Sequence, residues 1–181
     1  MSASAFPGHT LETAPPAARR TMEAVTKKQG YLPAAVARLA TSPELLDGFL
    51  QISAIFESTT LDPLSREVLI LTMATRNECH VCVAMHTARL TALGADPELI
   101  GALREQGVVP DERLEAVRQF TLSVIATSGA VDDATLQAFL AHGYTPRNAL
   151  EVVLGIGAYT MSTLGNRMTG APMDPHMAAF A

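Results

Sequence analysis

Apolar positions in this chain recur at intervals of three and four residues. Leu45, Phe49, Ile52, Ile55 and Phe56 form one such set, and Leu114, Val117, Phe120, Leu122 and Ile125 form another. This is the spacing of a single face of an α-helix. No segment keeps the strict alternation of a half-buried strand. Ser42-Pro43, Asp62-Pro63, Asp96-Pro97 and Thr145-Pro146 each set a side-chain oxygen, able to cap the free N–H groups of a first turn, before a proline with no N–H to satisfy. Gly30, Gly94, Gly107, Gly129 and Gly143 stand where the periodic segments stop, since glycine takes the left-handed closing conformation at least cost. The pattern predicts an all-α fold of about eight or nine helices. It predicts one helical domain over 17–168, a flexible arm over 1–16 and a tail over 169–181.

Composition narrows the class. A chain of 181 residues, 48% apolar, can bury a core without disulfide staples. Only 17% of its residues are charged, against about 25% in ordinary soluble domains. Some apolar surface is therefore expected to be covered by further copies, so a homo-oligomer is anticipated. The net charge is −5, no basic run exceeds Arg19-Arg20 or Lys27-Lys28, and Trp is absent. These features speak against a nucleic-acid or anionic-membrane partner. The most apolar run, 149–165, carries Glu151 and is interrupted by Gly155 and Gly157. It is a poor membrane span and a good buried or interface helix. The first twenty residues contain no apolar stretch of signal-peptide length. A cytoplasmic location is expected, where a close cysteine pair is more often catalytic or metal-binding than structural.

Cys79 and Cys82 are the only cysteines and form a C-x-x-C pair, with His86 four residues after it and Glu67 twelve before. With Asn77 as a helix N-cap, Cys79 falls in the first turn. Cys79, Cys82 and His86 then lie at about 0°, 300° and 340° around the helix, within one stripe. A thiol at a helix N-terminus is favoured as thiolate, and a three-residue offset brings two sulfurs within disulfide reach. Glu67 belongs to the preceding helix, whose sequence from Val68 is apolar nearly all round. A carboxylate there must be paired or have a raised pKa, and His86 is the obvious partner. A Glu–His–Cys relay could take the thiol proton and return one to a leaving group. Plain core cysteines and a zinc site built from the same four residues are the competing readings. Arg76, Glu78 and His80 read as solvated flank.

The motif Glu67-x11-Cys79-x2-Cys82-x3-His86 resembles that of the AhpD-like alkylhydroperoxidases in the carboxymuconolactone decarboxylase-like superfamily, most strongly from Leu61 to Gly94. The resemblance implies a helical protomer in trimers, hexamers or related rings; no cofactor or metal is expected. It implies that Cys79 and Cys82 are a redox-active disulfide pair, that Glu67 and His86 relay protons, and that Cys82 attacks a hydroperoxide while Cys79 resolves the product. The helix-terminus argument instead favours Cys79 as the more acidic thiol. The expected reductant is a dithiol, such as a lipoylated protein, or a peroxiredoxin partner. The sequence departs from the best-known members at Val81, where they carry histidine; His80 lies one place earlier. Two other functions compete: a decarboxylase-like enzyme acting on a small lactone acid, and a redox- or metal-responsive binding protein.

Overall fold

The computed structural model describes residues 5–181, which form nine α-helices and a C-terminal 3-10 helix with no strand among the described residues. The helices are α1 (Pro16–Gln29), α2 (Ala34–Leu39), α3 (Pro43–Glu57), α4 (Pro63–Arg76), α5 (His80–Ala92), α6 (Pro97–Arg104), α7 (Glu112–Ala126), α8 (Asp133–Ala141) and α9 (Pro146–Thr169). The 3-10 helix spans Pro175–Phe180. All four predicted cap–proline pairs start helices, and in each the cap oxygen accepts a first-turn N–H. No helix among the described residues is long and apolar enough to cross a membrane.

α4 is the centre of the molecule. Ten of its residues are buried, and it packs against α5, α6, α7 and α9. α9 crosses it closely at Gly155, where an added Cβ would lie 2.7 Å from the Phe56 ring and 3.0 Å from Leu69. Glu151, the charge inside the apolar run, is buried. Its carboxylate accepts from the backbone N–H groups of Thr60 and Leu61 and from Asn148 Nδ2, and so fixes the α3–α4 turn. The outer side of α9 is apolar and exposed at Leu150, Val153, Leu164 and Met168. Ile55, read as part of an apolar face, also points outward at 57% exposure.

Two predicted local features differ. The connection from α4 to α5 closes on Glu78, with φ 51°, and Asn77 ends α4 rather than capping α5. Glu78 N–H bonds Thr75 O at 3.0 Å and Cys79 N–H bonds Ala74 O at 2.9 Å, the two bonds of a Schellman closure. After α6 the left-handed residue is Gln106, φ 58°, and Gly107 follows it with its N–H on Ala102 O.

The described parts of the terminal segments lie against the helices, and residues 1–4 of the predicted arm lie outside the described residues. His9 meets Thr41 and Ala14 is buried. Asp174 accepts the N–H of Ala34 at the start of α2, and Arg104 donates to Phe180 O at 2.7 Å.

Candidate active site

Cys79 is the N-cap residue of α5, Cys82 sits one turn in and His86 one turn further. Their exposures are 1%, 4% and 4%. Glu67 reaches them from α4 at 7% exposure. Its Oε2 lies 2.7 Å from His86 Nδ1, so the anticipated carboxylate–imidazole contact is present. The other carboxylate oxygen receives Arg89 Nη1 at 3.5 Å, and Arg89 also reaches Glu57 at 3.2 Å. Burial pushes the Glu67 carboxyl up, but His86 and Arg89 outweigh it and hold the group below the usual carboxylate range. With Nδ1 donating to a carboxylate, the imidazole atom left to take or give a proton is Nε2. The Tyr159 ring stands edge-on to the imidazole, 5.4 Å between centroids, and limits its rotation.

The two thiols differ in character. Cys79 is lowered to about 7, first by the hydrogen bond from Cys82, against burial, and then by Asn166 and the charge of Arg167. Cys82 is pushed up by donating to Cys79 and by burial. The hydrogen bond between the two sulfurs thus favours the thiolate on Cys79 and the proton on Cys82. Arg167 is tied to the same corner: it donates to Asn77 O at 2.5 Å and pairs with Glu78 at 3.1 Å.

Cys82, not Cys79, faces open space. Together with His86, Met85, Arg89, Tyr159, Ser162 and Asn166 it lines a cavity of about 170 Å³ whose far wall is apolar, with Val36, Leu39, Leu46, Phe49 and Leu50 from α2 and α3. Beyond Cys79, the Cys82 sulfur has Asn166 Nδ2 at 3.4 Å and Ser162 Oγ at 3.9 Å, both on α9. Its hydrogen bonds among the described residues do not include the imidazole, which lines the same cavity. A larger cleft of about 960 Å³ between α6, α7 and α8 contains none of these groups. Among the described residues no cluster of three or more His, Cys, Asp or Glu side chains is placed to hold a metal ion. His80, Glu78 and Arg76 are exposed and Val81 is buried.

Arg89, Tyr159, Ser162 and Asn166 were not singled out in the sequence. Arg89 continues the stripe of Cys79, Cys82 and His86 by one more step of three, a signal that could have been followed. Ser162 and Asn166 are polar residues four apart on the buried side of α9, which is itself unusual.

Residues 43–121, which include Glu67, both cysteines and His86, match the model of the carboxymuconolactone decarboxylase family. No curated protein matches the chain. Among solved structures, the chain is similar to an uncharacterized peroxidase-related protein from Ralstonia eutropha JMP134 with an alkylhydroperoxidase AhpD core. The TM-score is 0.82 at 22% identity, over 95% of this chain and 93% of that one. An uncharacterized peroxidase-related protein from Silicibacter sp. TM1040 gives 0.79 at 21%, over 96% and 92%. A Cys-to-Ala variant of the debrominase Bmp8 in complex with 2,3,4-tribromopyrrole gives 0.77 at 12%, over 99% and 96%. Across the thiol motif, residues 43–121 are therefore similar to the carboxymuconolactone decarboxylase family, and the whole chain shares the all-α fold of these AhpD-like, peroxidase-related structures.

Proposed function

We propose that this protein is a thiol-dependent peroxidase that reduces organic hydroperoxides, and hydrogen peroxide less well, through Cys79 and Cys82. The observation that carries the reading is the cavity that Cys82 shares with His86, whose Nδ1 is held by Glu67 at 2.7 Å. Its volume, about 170 Å³, is close to the ~150 Å³ that encloses a benzene ring. Its apolar wall gains by covering an alkyl or aryl group and gains nothing from free hydrogen peroxide.

In the reduced state the pair carries one thiolate, on Cys79, and one proton, on Cys82. When a hydroperoxide enters, the proton passes from Cys82 to Cys79 and the Cys82 thiolate attacks the terminal peroxide oxygen. The O–O bond breaks, Cys82 becomes a sulfenic acid, and the leaving alkoxide takes from His86 the proton that Cys79 gave up when it ionised. Cys79 then loses its proton to His86 and attacks the Cys82 sulfur. The disulfide forms and the displaced hydroxide leaves as water on taking that proton. Two thiols and one hydroperoxide give a disulfide, an alcohol and water. An external dithiol, from a lipoylated protein or a peroxiredoxin partner, returns the pair to thiols by exchange. The exposed apolar stripe of α9 supports self-association into a trimer or hexamer.

The test is hydroperoxide consumption assayed across candidate dithiols, dihydrolipoamide included, together with dimedone trapping in single-cysteine variants. Cys79→Ser should accumulate a trappable sulfenate on Cys82. Trapping only on Cys79 in Cys82→Ser would reverse the roles, and consumption by neither dithiol nor thiol-reduced protein would sink the reading. The Glu67–His86 contact supports a second reading, acid–base work on a small lactone acid. That activity would survive serine at both cysteine positions, whereas peroxidase activity would not.

A further inference from the structure

Asn166 is a buried amide, 5% exposed, on the inner face of α9 and on the wall of the cavity. Its Nδ2 donates to Cys82 Sγ at 3.4 Å and stands 3.5 Å from Ser162 Oγ. Its Oδ1 is the one buried side-chain nitrogen or oxygen among the described residues with no hydrogen-bond partner. Buried polar atoms are nearly always paired, and an exception calls for a reason. A thiolate only accepts hydrogen bonds, so an amide beside it must present its N–H, and its carbonyl is left for something else. Of the groups a hydroperoxide carries, the O–H on its terminal oxygen is the donor, and that oxygen is the one a thiolate attacks.

We propose that Asn166 is a catalytic residue with two separate contacts: its N–H holds the Cys82 thiolate, and its carbonyl receives the O–H of the bound hydroperoxide. The second contact rests on the peroxidase reading. The first does not. With the carbonyl holding the terminal O–H, the terminal oxygen is turned toward the sulfur and the leaving oxygen toward the His86 side of the cavity. The sulfur donates an electron pair to the terminal oxygen, the O–O bond takes the two electrons, and the O–H proton stays on what becomes the sulfenic acid. Asn166 neither gains nor loses a proton.

The test uses full-length protein in a Cys79→Ser background, so that Cys82 is the only thiol. Two rates are compared at one pH: oxidation by cumene hydroperoxide and alkylation by iodoacetamide. Both need the thiolate, but only the first needs an acceptor for a peroxide O–H. In Asn166→Leu the ratio of oxidation to alkylation should fall about tenfold, the weight of one lost neutral hydrogen bond. In Asn166→Asp, which keeps an acceptor but puts a negative charge beside the sulfur, the ratio should recover while the thiolate titration midpoint moves up. An unchanged ratio in Asn166→Leu overturns the carbonyl contact. A midpoint that does not rise in Asn166→Asp overturns the N–H contact, and this arm decides the matter if the leucine variant fails to fold. Wild-type protein that consumes no hydroperoxide removes the peroxidase reading and the carbonyl contact with it, and leaves the midpoint as the measure of the amide on the sulfur.

Discussion

The Glu67 carboxyl is held below its ordinary range inside the protein, against burial, because His86 faces one oxygen and Arg89 the other. In the proposed mechanism the carboxylate orients the imidazole, and proton transfer falls to His86. Glu67→Gln keeps the shape and removes the charge. We expect it to slow hydroperoxide oxidation of the thiols by about 10²-fold, and His86→Ala to do at least as much, with the circular dichroism spectrum of the fold retained. Wild-type oxidation rates in both variants would exclude these residues from the mechanism. The thiols give a second residue-scale test. Reduced protein followed by ultraviolet thiolate absorbance should show one sulfur ionising at about 7 and the other remaining protonated well above that. Loss of the first step in Cys79→Ser, and its survival in Cys82→Ser with a higher midpoint, would assign it to Cys79 stabilised by the Cys82 S–H. Two equal steps in the ordinary thiol range would contradict the shared proton.

At the scale of elements, the site depends on how α9 crosses α4 and α5. The approach is set at Gly155, where the Phe56 ring occupies the volume a Cβ would take. Gly155→Ala should gain up to about 1 kcal/mol of helix propensity and lose about 1–3 kcal/mol to overpacking. The expected net change is destabilising, read as a lower denaturant midpoint with an unchanged slope. A raised midpoint would show that Phe56 and Leu69 yield freely. Gly157 faces outward with open space around it, so alanine there serves as the control. The α4–α5 corner follows the same logic. It is closed by a non-glycine left-handed residue, Glu78, held by Arg167 from α9, so α9 governs both the wall of the cavity and the position of Cys79.

For the whole molecule, Asp62, Glu67, Glu115 and Glu151 are all held below their ordinary ranges. Burial acts against each. Ser65 and Arg113 outweigh it at Asp62, His86 and Arg89 at Glu67, Arg118 and the Val109 N–H at Glu115, and Thr60, Asn148 and Leu61 at Glu151. A depressed folded-state pKa stabilises the fold fully above the unfolded value and loses that contribution as pH falls through the folded one. Thermal stability should therefore hold from neutral pH down to the ordinary values of 4.5 for Glu and 3.8 for Asp and fall below them. A melting temperature that rises with acidification across that window would contradict the assignment. The outer stripe of α9 is the other whole-molecule feature. Leu150→Glu with Leu164→Glu should lower the mass seen by sedimentation velocity if copies meet there, and a monomeric wild-type protein would remove that role for the stripe.

What the sequence determined by itself was short-range. Helix period, cap–proline starts and the Cys79–Cys82–His86 stripe each depend on residues within a few positions of one another, where helical geometry leaves little choice. The adjacency of Glu67 to His86 was also legible, because a short connection folds two successive helices against each other and a buried carboxylate needs a partner. Even there, local rules misplaced the N-cap: Asn77 has the chemistry of a cap, but the Schellman closure on Glu78 uses it to finish α4. Only the tertiary structure decided what the sulfurs meet. Asn166 and Ser162 lie more than 75 residues beyond Cys82, on a helix whose register against α5 follows from the close approach at Gly155, the Glu151 contact with the α3–α4 turn and the Arg167 clasp. Such packing is a property of surfaces brought together, so no local pattern could state which thiol faces the cavity or which amide stands over it.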